Sequence, residues 1–298
     1  MVLLYIPPVQ NLLRREVTAY ASKATGMQIQ VERIDLRFPL NLLVRGVEVI
    51  QQPDTLLSLE SLNVRVQAWP LLKGKVEVDE VTLSQVAVNS ANLIEGMQIK
   101  GVLGRFFLQS HGVDLSNETA VVNRTELSDT HIQLLMTDTT TTPKDTTASA
   151  PVNWKVNLHQ LKLKNVSFGM KLPADSMKMA AYIGEATIDD AKADLKNQFY
   201  GLKQFLLSGA SASYDTGEAQ PSEGFDASHM AVRNIRIGLD SLLYEGRNMN
   251  AVIREITMEE RSGLSITSLT GRLFSNDSII RIPELKLQTP HSEIDRSA

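Results

Sequence analysis

The side chains most able to do chemistry are few and scattered. The five histidines, His111, His131, His159, His229 and His291, lie too far apart in sequence for any two to form a local metal motif. No Walker-type loop, strand-linked GxGxxG or GxSxG elbow occurs. Asp189-Asp190 and Glu259-Glu260 are adjacent carboxylates. Neighbours on a strand project to opposite faces, so neither pair makes an acid–base dyad by itself. The 298 residues contain no cysteine, which excludes a disulfide framework, a thiol nucleophile and a cysteine-ligated zinc. Formal net charge is −4, without the basic stripe that a phosphate backbone demands. The expectation is a protein that is not an enzyme and has no catalytic residue, metal or cofactor; nucleic acid is not an expected partner.

What must be positioned, then, is apolar surface. Hydrophobic residues make up 43% of the chain but aromatics only 5%, so that surface comes from Leu, Val, Ile, Ala and Met. Its spacing is unusual. Leu158, Leu161, Leu163, Val166 and Phe168 are the only apolar residues in their window, at relative positions 0, 3, 5, 8 and 10. Ile183-Ala186-Ile188-Ala191-Ala193 repeats that spacing, as do Val78-Val81-Leu83-Val86-Val88 and Leu202-Phe205-Leu207-Ala210-Ala212 with one violation each. Shorter forms occur at Val31-Ile34-Leu36, Val44-Val47-Val49, Leu59-Leu62-Val64, Ile253-Ile256-Met258 and Ile282-Leu285-Leu287. Steps of two keep side chains on one face of a strand; a step of three changes parity unless a bulge, corner or tight turn absorbs the extra residue. The pattern predicts strands with one apolar and one charged face, irregular in spacing and so not a strict solenoid.

The ends and interruptions set the domain organisation. Val2 to Ile6 before Pro7-Pro8 reads either as the last turn of a longer apolar segment or as a simple hydrophobic N-terminus. Residues 9–25 carry Val9, Leu12, Leu13, Val17, Tyr20, Ala21 and Ala24 at helical steps, with Gly26 as a stop. That helix either packs on a core or lies beside a membrane. The expected divisions are an anchor end and helix over 1–26, a β-segment over 27–137, a Thr-rich flexible loop over 138–151, a second β-segment over 152–289 and a tail over 290–298. Continuation of one sheet past the Thr-rich insertion is favoured, because alternation resumes at Val152-Trp154-Val156. A second loop is expected over Asp215 to Ser228. Asp54-Thr55-Leu56, Asp138-Thr139-Thr140, Asp145-Thr146-Thr147 and Asp175-Ser176-Met177 resemble a Bacteroides-type O-glycosylation signal, or are ordinary loop composition.

The segment Pro7-Pro8-Val9-Gln10-Asn11-Leu12-Leu13, the helix, and Gly26 to Pro39 resemble the N-terminus of TamB proteins of the wider AsmA-like group. Trp69-Pro70-Leu71-Leu72-Lys73-Gly74 followed by the alternating Lys75 to Leu83 is similar to that family's recurring strand signature, and Asp54-Thr55-Leu56-Leu57 fits its Bacteroidota branch. The similarity covers about residues 5 to 90. It implies an elongated, curled, taco-like open sheet with an apolar interior. It also implies a periplasmic location with an inner-membrane anchor missing from this chain, and phospholipid or another acyl-chain ligand carried between inner and outer membranes. A second implied role is assisting outer-membrane protein assembly with a barrel partner, through a C-terminal region this chain lacks. Candidate groove-lining residues are Ile34, Leu36, Val81, Leu83, Val86, Val88, Leu161, Leu163, Val166, Phe168, Ile188, Phe205, Leu207, Ile235 and Ile237. Each could instead pack in a closed sandwich or solenoid core.

Overall fold

A computed structural model describes residues 7–67, 69, 77–91, 93–114, 117–136, 153–217 and 220–296. The apolar run Val2 to Ile6, most of the Trp69 to Lys75 segment and the whole Thr-rich stretch lie outside the described residues. One helix, α1 (Pro7–Thr25), precedes sixteen strands. The first six are β1 (Gln28–Arg37), β2 (Asn41–Gln51), β3 (Asp54–Val66), β4 (Val78–Asn89), β5 (Met97–Asp114) and β6 (Thr119–Met136). Then come β7 (Lys155–Leu172), β8 (Met177–Asp194), β9 (Phe199–Leu202), β10 (Gln204–Asp215), β11 (His229–Glu245), β12 (Asn248–Glu260) and β13 (Ser265–Ser275). Three short strands, β14 (Ile280–Arg281), β15 (Lys286–Gln288) and β16 (Glu293–Asp295), close the series.

All sixteen belong to one sheet, in the order β1-β2-β3-β4-β5-β6-β7-β8-β10-β11-β12-β13-β15-β16, with β9 beside β8 and β11 and β14 beside β13. The fold is all-β with one short N-terminal helix. Every named strand pair is antiparallel except β6–β7, which is parallel. A parallel pair needs a return of a dozen residues or more, and residues 137–154 supply it. The sheet therefore continues without interruption from β6 to β7, which run in the same direction. The segment between β10 and β11 is a loop, as its composition predicts.

The sheet has a single layer. Among the described residues, the substantial contacts between elements join sheet neighbours or join α1 to β1. Among the described residues no large side chain is fully buried. The buried apolar set is short, led by Ile34, Leu56, Leu59 and Ile253 with four alanines. A 43% apolar chain folded without a second layer keeps much of its apolar surface half-exposed.

The three-residue step has a specific cause. A line of positions crosses the sheet through Glu32, Gly46, Glu60, Gln85, Gly104, Asp129, Asn165 and Gly184, and pairing breaks there on every ladder but resumes in unchanged register. Gly46, Gln85, Asp129, Asn165 and, farther on, Gly209 have φ of +58°, +50°, +52°, +53° and +61°. In each antiparallel pair along this crease one of the two facing residues is left-handed; in the parallel pair both are. A left-handed residue turns the strand over, so Leu83 and Val86, or Leu163 and Val166, return to one face. The expected bulge with one extra residue is thus replaced, from β1 to β8, by a register-neutral crease. True register shifts occur away from the crease in β2–β3, β3–β4 and β5–β6, and again between β10 and β13.

The crease also selects residue types. A Cβ on Gly104 would lie 2.7 Å from the Asp129 Cβ, and one on Gly184 would lie 2.9 Å from the Gly209 carbonyl oxygen. Asparagine and aspartate, which tolerate the left-handed region, fill two of the non-glycine positions.

The helix docks through polar groups. Gln10 Nε2 donates to the Leu36 carbonyl at 3.0 Å and Arg14 Nη1 to the Glu32 carbonyl at 2.7 Å. The Ile29 amide donates to Ser22 Oγ at 3.1 Å. Residues 10, 14 and 22 share one helical face, so α1 runs along the outer edge of β1 and occupies groups that an edge strand leaves unpaired. Leu12 and Tyr20, expected on a packing stripe, are 59% and 78% exposed.

Candidate functional site

Cross-strand pairing gathers the spaced apolar residues into rows that run perpendicular to the strands. One row reads Leu36, Leu42, Val64, Val81, Leu108, Thr125, Leu161, Ile188, Phe205 and Leu239. The next reads Ile34, Val44, Leu62, Leu83, Phe106, Leu127, Leu163, Ala186, Leu207, Ile237 and Ile256. Beyond the crease, a third row runs Val31, Val47, Leu59, Val86, Leu103, Thr130 and Val166. A fourth runs Ile29, Val49, Leu57, Val88, Gly101, Ile132, Phe168, Ala181, Ala212 and Val232. A fifth, Ile99, Leu134, Met170, Met179, Tyr214 and Met230, carries no residue singled out from the sequence. Direct neighbours along a row stand about 5 Å apart, within side-chain contact.

Fourteen of the fifteen candidate residues fall on the first four rows, and Ile235 stands opposite Ala210 on the far side of the crease. Ile34 is buried, Val88 and Phe168 are exposed, and the other twelve are half-buried. Among the described residues no second layer covers these rows.

The opposite face is charged. Arg65 pairs with Glu80 at 3.3 Å and Arg105 with Glu126 at 3.6 Å, each between adjacent strands. Exposed pairs of this kind contribute little to stability, about 0–1 kcal/mol, but they keep that face in water. His159 Nδ1 lies 3.2 Å and Lys203 Nζ 3.5 Å from the Asp190 carboxylate. That contact to His159 foremost, with the Lys203 charge behind it, holds the Asp190 carboxyl below the usual aspartate range. Its sequence neighbour Asp189 instead accepts from Gln160 at 3.1 Å. Glu259 accepts from Arg233 at 3.0 Å, whereas Glu260 accepts from the Ser262 amide at 2.6 Å. The adjacent carboxylates thus engage different partners, as strand geometry predicts.

A cavity of about 1100 Å³ is not over the candidate residues; of the fifteen, only Phe168 touches it. It spans β5 to β12. Stretches of three rows line it: His131, Ser167, Tyr182 and Ser211; Lys100, Gln133, Gly169, Ala180, Ser213 and Ala231; and Leu135, Lys171, Lys178 and Asp215. These rows alternate with the fourth and fifth apolar rows, so the cavity lies on the other face of the sheet. Sequence alternation marks these positions only as polar; their convergence on one hollow depends on the shape of the sheet.

Among the described residues no cluster of His, Asp or Glu could hold a metal ion, and no helix is long and apolar enough to cross a membrane. No family model matches the chain, and a search of curated proteins gives no match.

Proposed function

We propose that this protein is a non-catalytic cell-envelope scaffold whose apolar face binds or conducts the acyl chains of phospholipid. The observation that carries this reading is the set of five apolar rows left without a covering layer among the described residues. Each acyl methylene moved from water onto such a surface gains about 0.8 kcal/mol, so continuous rows can hold a chain without specific polar contacts. The reading extends to a curled sheet around the chains, to the TamB and AsmA-like group, and to a periplasmic location with an inner-membrane anchor. The resemblance of residues 5 to 90 supports those parts. The alternative reading, assistance to outer-membrane protein assembly with a barrel partner, would use an edge other than β1, where Gln10 and Arg14 hold the Leu36 and Glu32 carbonyls.

Native mass spectrometry of gently purified protein tests the proposal. Phospholipid should co-purify with the wild type and be lost from a Leu83→Asp, Leu163→Asp, Leu207→Asp variant, whose changes fall on one row. A wild type that stays lipid-free and takes up no fatty acid from solution sinks the reading.

A further inference from the structure

The cavity on the charged face has its own chemistry. Lys100, Lys171, Lys178 and Arg261 all line it, and among the described residues none of the four lies in an ion pair. Lys171 and Lys178 stand directly opposite each other across β7 and β8. Like charges in that relation repel, as Arg33 and Arg45 do across β1 and β2, whereas Arg65–Glu80 and Lys155–Asp194 on this face are paired across strands. Two carboxylates line the same cavity. Glu260 is buried and already accepts from the amides of Ser262 and Ala231, at 2.6 Å and 3.4 Å. Ser262, through its hydroxyl and its amide, keeps that carboxyl below the usual glutamate range. Asp215 is opposite Lys178 on the other side, yet the two form no ion pair. Asp175, at the β7–β8 turn, forms none either. Arg233 also lines the hollow but is taken by Glu259 at 3.0 Å.

We infer that this hollow is a binding site for a phosphate-bearing anion, separate from the apolar rows. Four cations outside any ion pair, set against the carboxylates of Asp215 and Glu260, leave the concave space an excess of positive charge that raises the local concentration of multivalent anions. Half-buried Leu135 and exposed Tyr182, which stand on the cavity's own rows, give the same cavity apolar surface beside its cations. A phosphate ester carrying an apolar group fits this combination, whether it is free in solution or is the headgroup of a lipid. The inference is independent of the acyl-chain reading, because it concerns the opposite face.

The test uses the whole chain and two probes. Inorganic pyrophosphate, titrated by calorimetry at low salt, reports the free anion. Co-sedimentation with phosphatidylcholine vesicles containing phosphatidic acid, against phosphatidylcholine alone, reports a headgroup. The Lys100→Gln, Lys171→Gln, Lys178→Gln variant should bind at least about tenfold more weakly to whichever probe the wild type binds. A Lys162→Gln, Lys164→Gln, Lys192→Gln variant, with the same change in net charge outside the cavity, should stay within about twofold. Binding of pyrophosphate assigns the site to free phosphates; selective binding of phosphatidic acid vesicles assigns it to a headgroup. Equal losses in the two variants, or a wild type that binds neither probe, overturns the inference. Co-purifying phospholipid with no response to either probe would overturn it while leaving the acyl-chain reading standing.

Discussion

Asn165 donates from Nδ2 to the Asp129 carboxylate at 2.8 Å, and both residues are left-handed. They face each other across β6 and β7, the parallel pair of the sheet. In the antiparallel pairs along the crease, a left-handed residue meets a partner that is not. At the parallel junction both strands must turn over in the same sense, so two residues that tolerate positive φ are required side by side. Their side chains close the break in the backbone ladder.

Replacing Asn165 with Val should therefore destabilise the protein by about 1–3 kcal/mol, since a β-branched residue is strained in the left-handed region. Asn165→Gly keeps the conformation and loses only the contact to Asp129, so it should cost less than the valine change. Urea unfolding of the two variants checks the order. If valine is tolerated as well as glycine, the crease is not what fixes the spacing.

Gly104→Ala and Gly184→Ala press a methyl into the neighbouring strand, at 2.7 Å from Asp129 Cβ and 2.9 Å from the Gly209 oxygen. Each should lower stability by about 1–3 kcal/mol through overpacking. Gly224→Ala, in a loop with open space and φ of +81°, carries only the conformational cost of about 1 kcal/mol. Thermal or denaturant melts of the three variants separate steric crowding from backbone strain.

The loop before β11 should be acid-sensitive. Asp226 accepts from the amides of Ser222 and Ser228, at 3.0 Å and 2.9 Å, and these contacts hold its carboxyl far below the ordinary aspartate range. Buried His229 lies 3.0 Å away. A depressed folded-state pKa means that the stabilisation is fully present above the unfolded value and is lost as pH falls through the folded one. Wild type should lose stability on acidification below about pH 4. Asp226→Asn should be weaker at neutral pH and show a flatter acid limb. Parallel acid limbs for the two proteins would remove Asp226 from the account.

Acyl-chain affinity should climb with chain length. Contact along continuous rows gives up to about 0.8 kcal/mol per methylene, or roughly two- to fourfold per added carbon below the micelle threshold. Displacement of a fluorescent fatty acid by saturated acids of increasing length measures the slope. A flat series would mean that the rows do not hold the chain.

The helix gives a prediction confined to one edge. Arg14→Ala with Gln10→Ala removes two donors from the β1 carbonyls. Hydrogen exchange should then quicken in α1 and β1 while β4 and β5 keep their protection, because each strand is supported by its sheet neighbours. Uniform loss of protection would show that the helix stabilises the whole sheet.

Much of the sheet was legible because a two-residue period and its three-residue interruptions leave a direct mark in Leu158 to Phe168 and its repeats. Rows can be inferred only if register is known, and register here follows from hairpin after hairpin keeping the crease aligned. The step from Leu163 to Val166 shows that something intervenes, but not that Asn165 is left-handed while Gly184 opposite is not. The parallel β6–β7 pair left no local signal, since pairing direction depends on where a loop returns. The apolar steps of α1 left two readings, packing on a core or lying beside a membrane, and did not mark the polar contacts of Gln10, Arg14 and Ser22 with β1. The cationic hollow was illegible because Lys100, Lys171 and Arg261 are distant in sequence and each alone resembles a solvated surface charge.

A sheet in which, among the described residues, strands lean on their sheet neighbours has no central mass that must be completed before it is stable. Globular domains stop growing when one core becomes too thick to fill, but a single layer meets no such ceiling. Length becomes a free variable: adding hairpins that keep the crease aligned extends the structure without redesigning what is already there. Such a sheet can be lengthened or shortened by whole hairpins, as a ruler is cut to a distance.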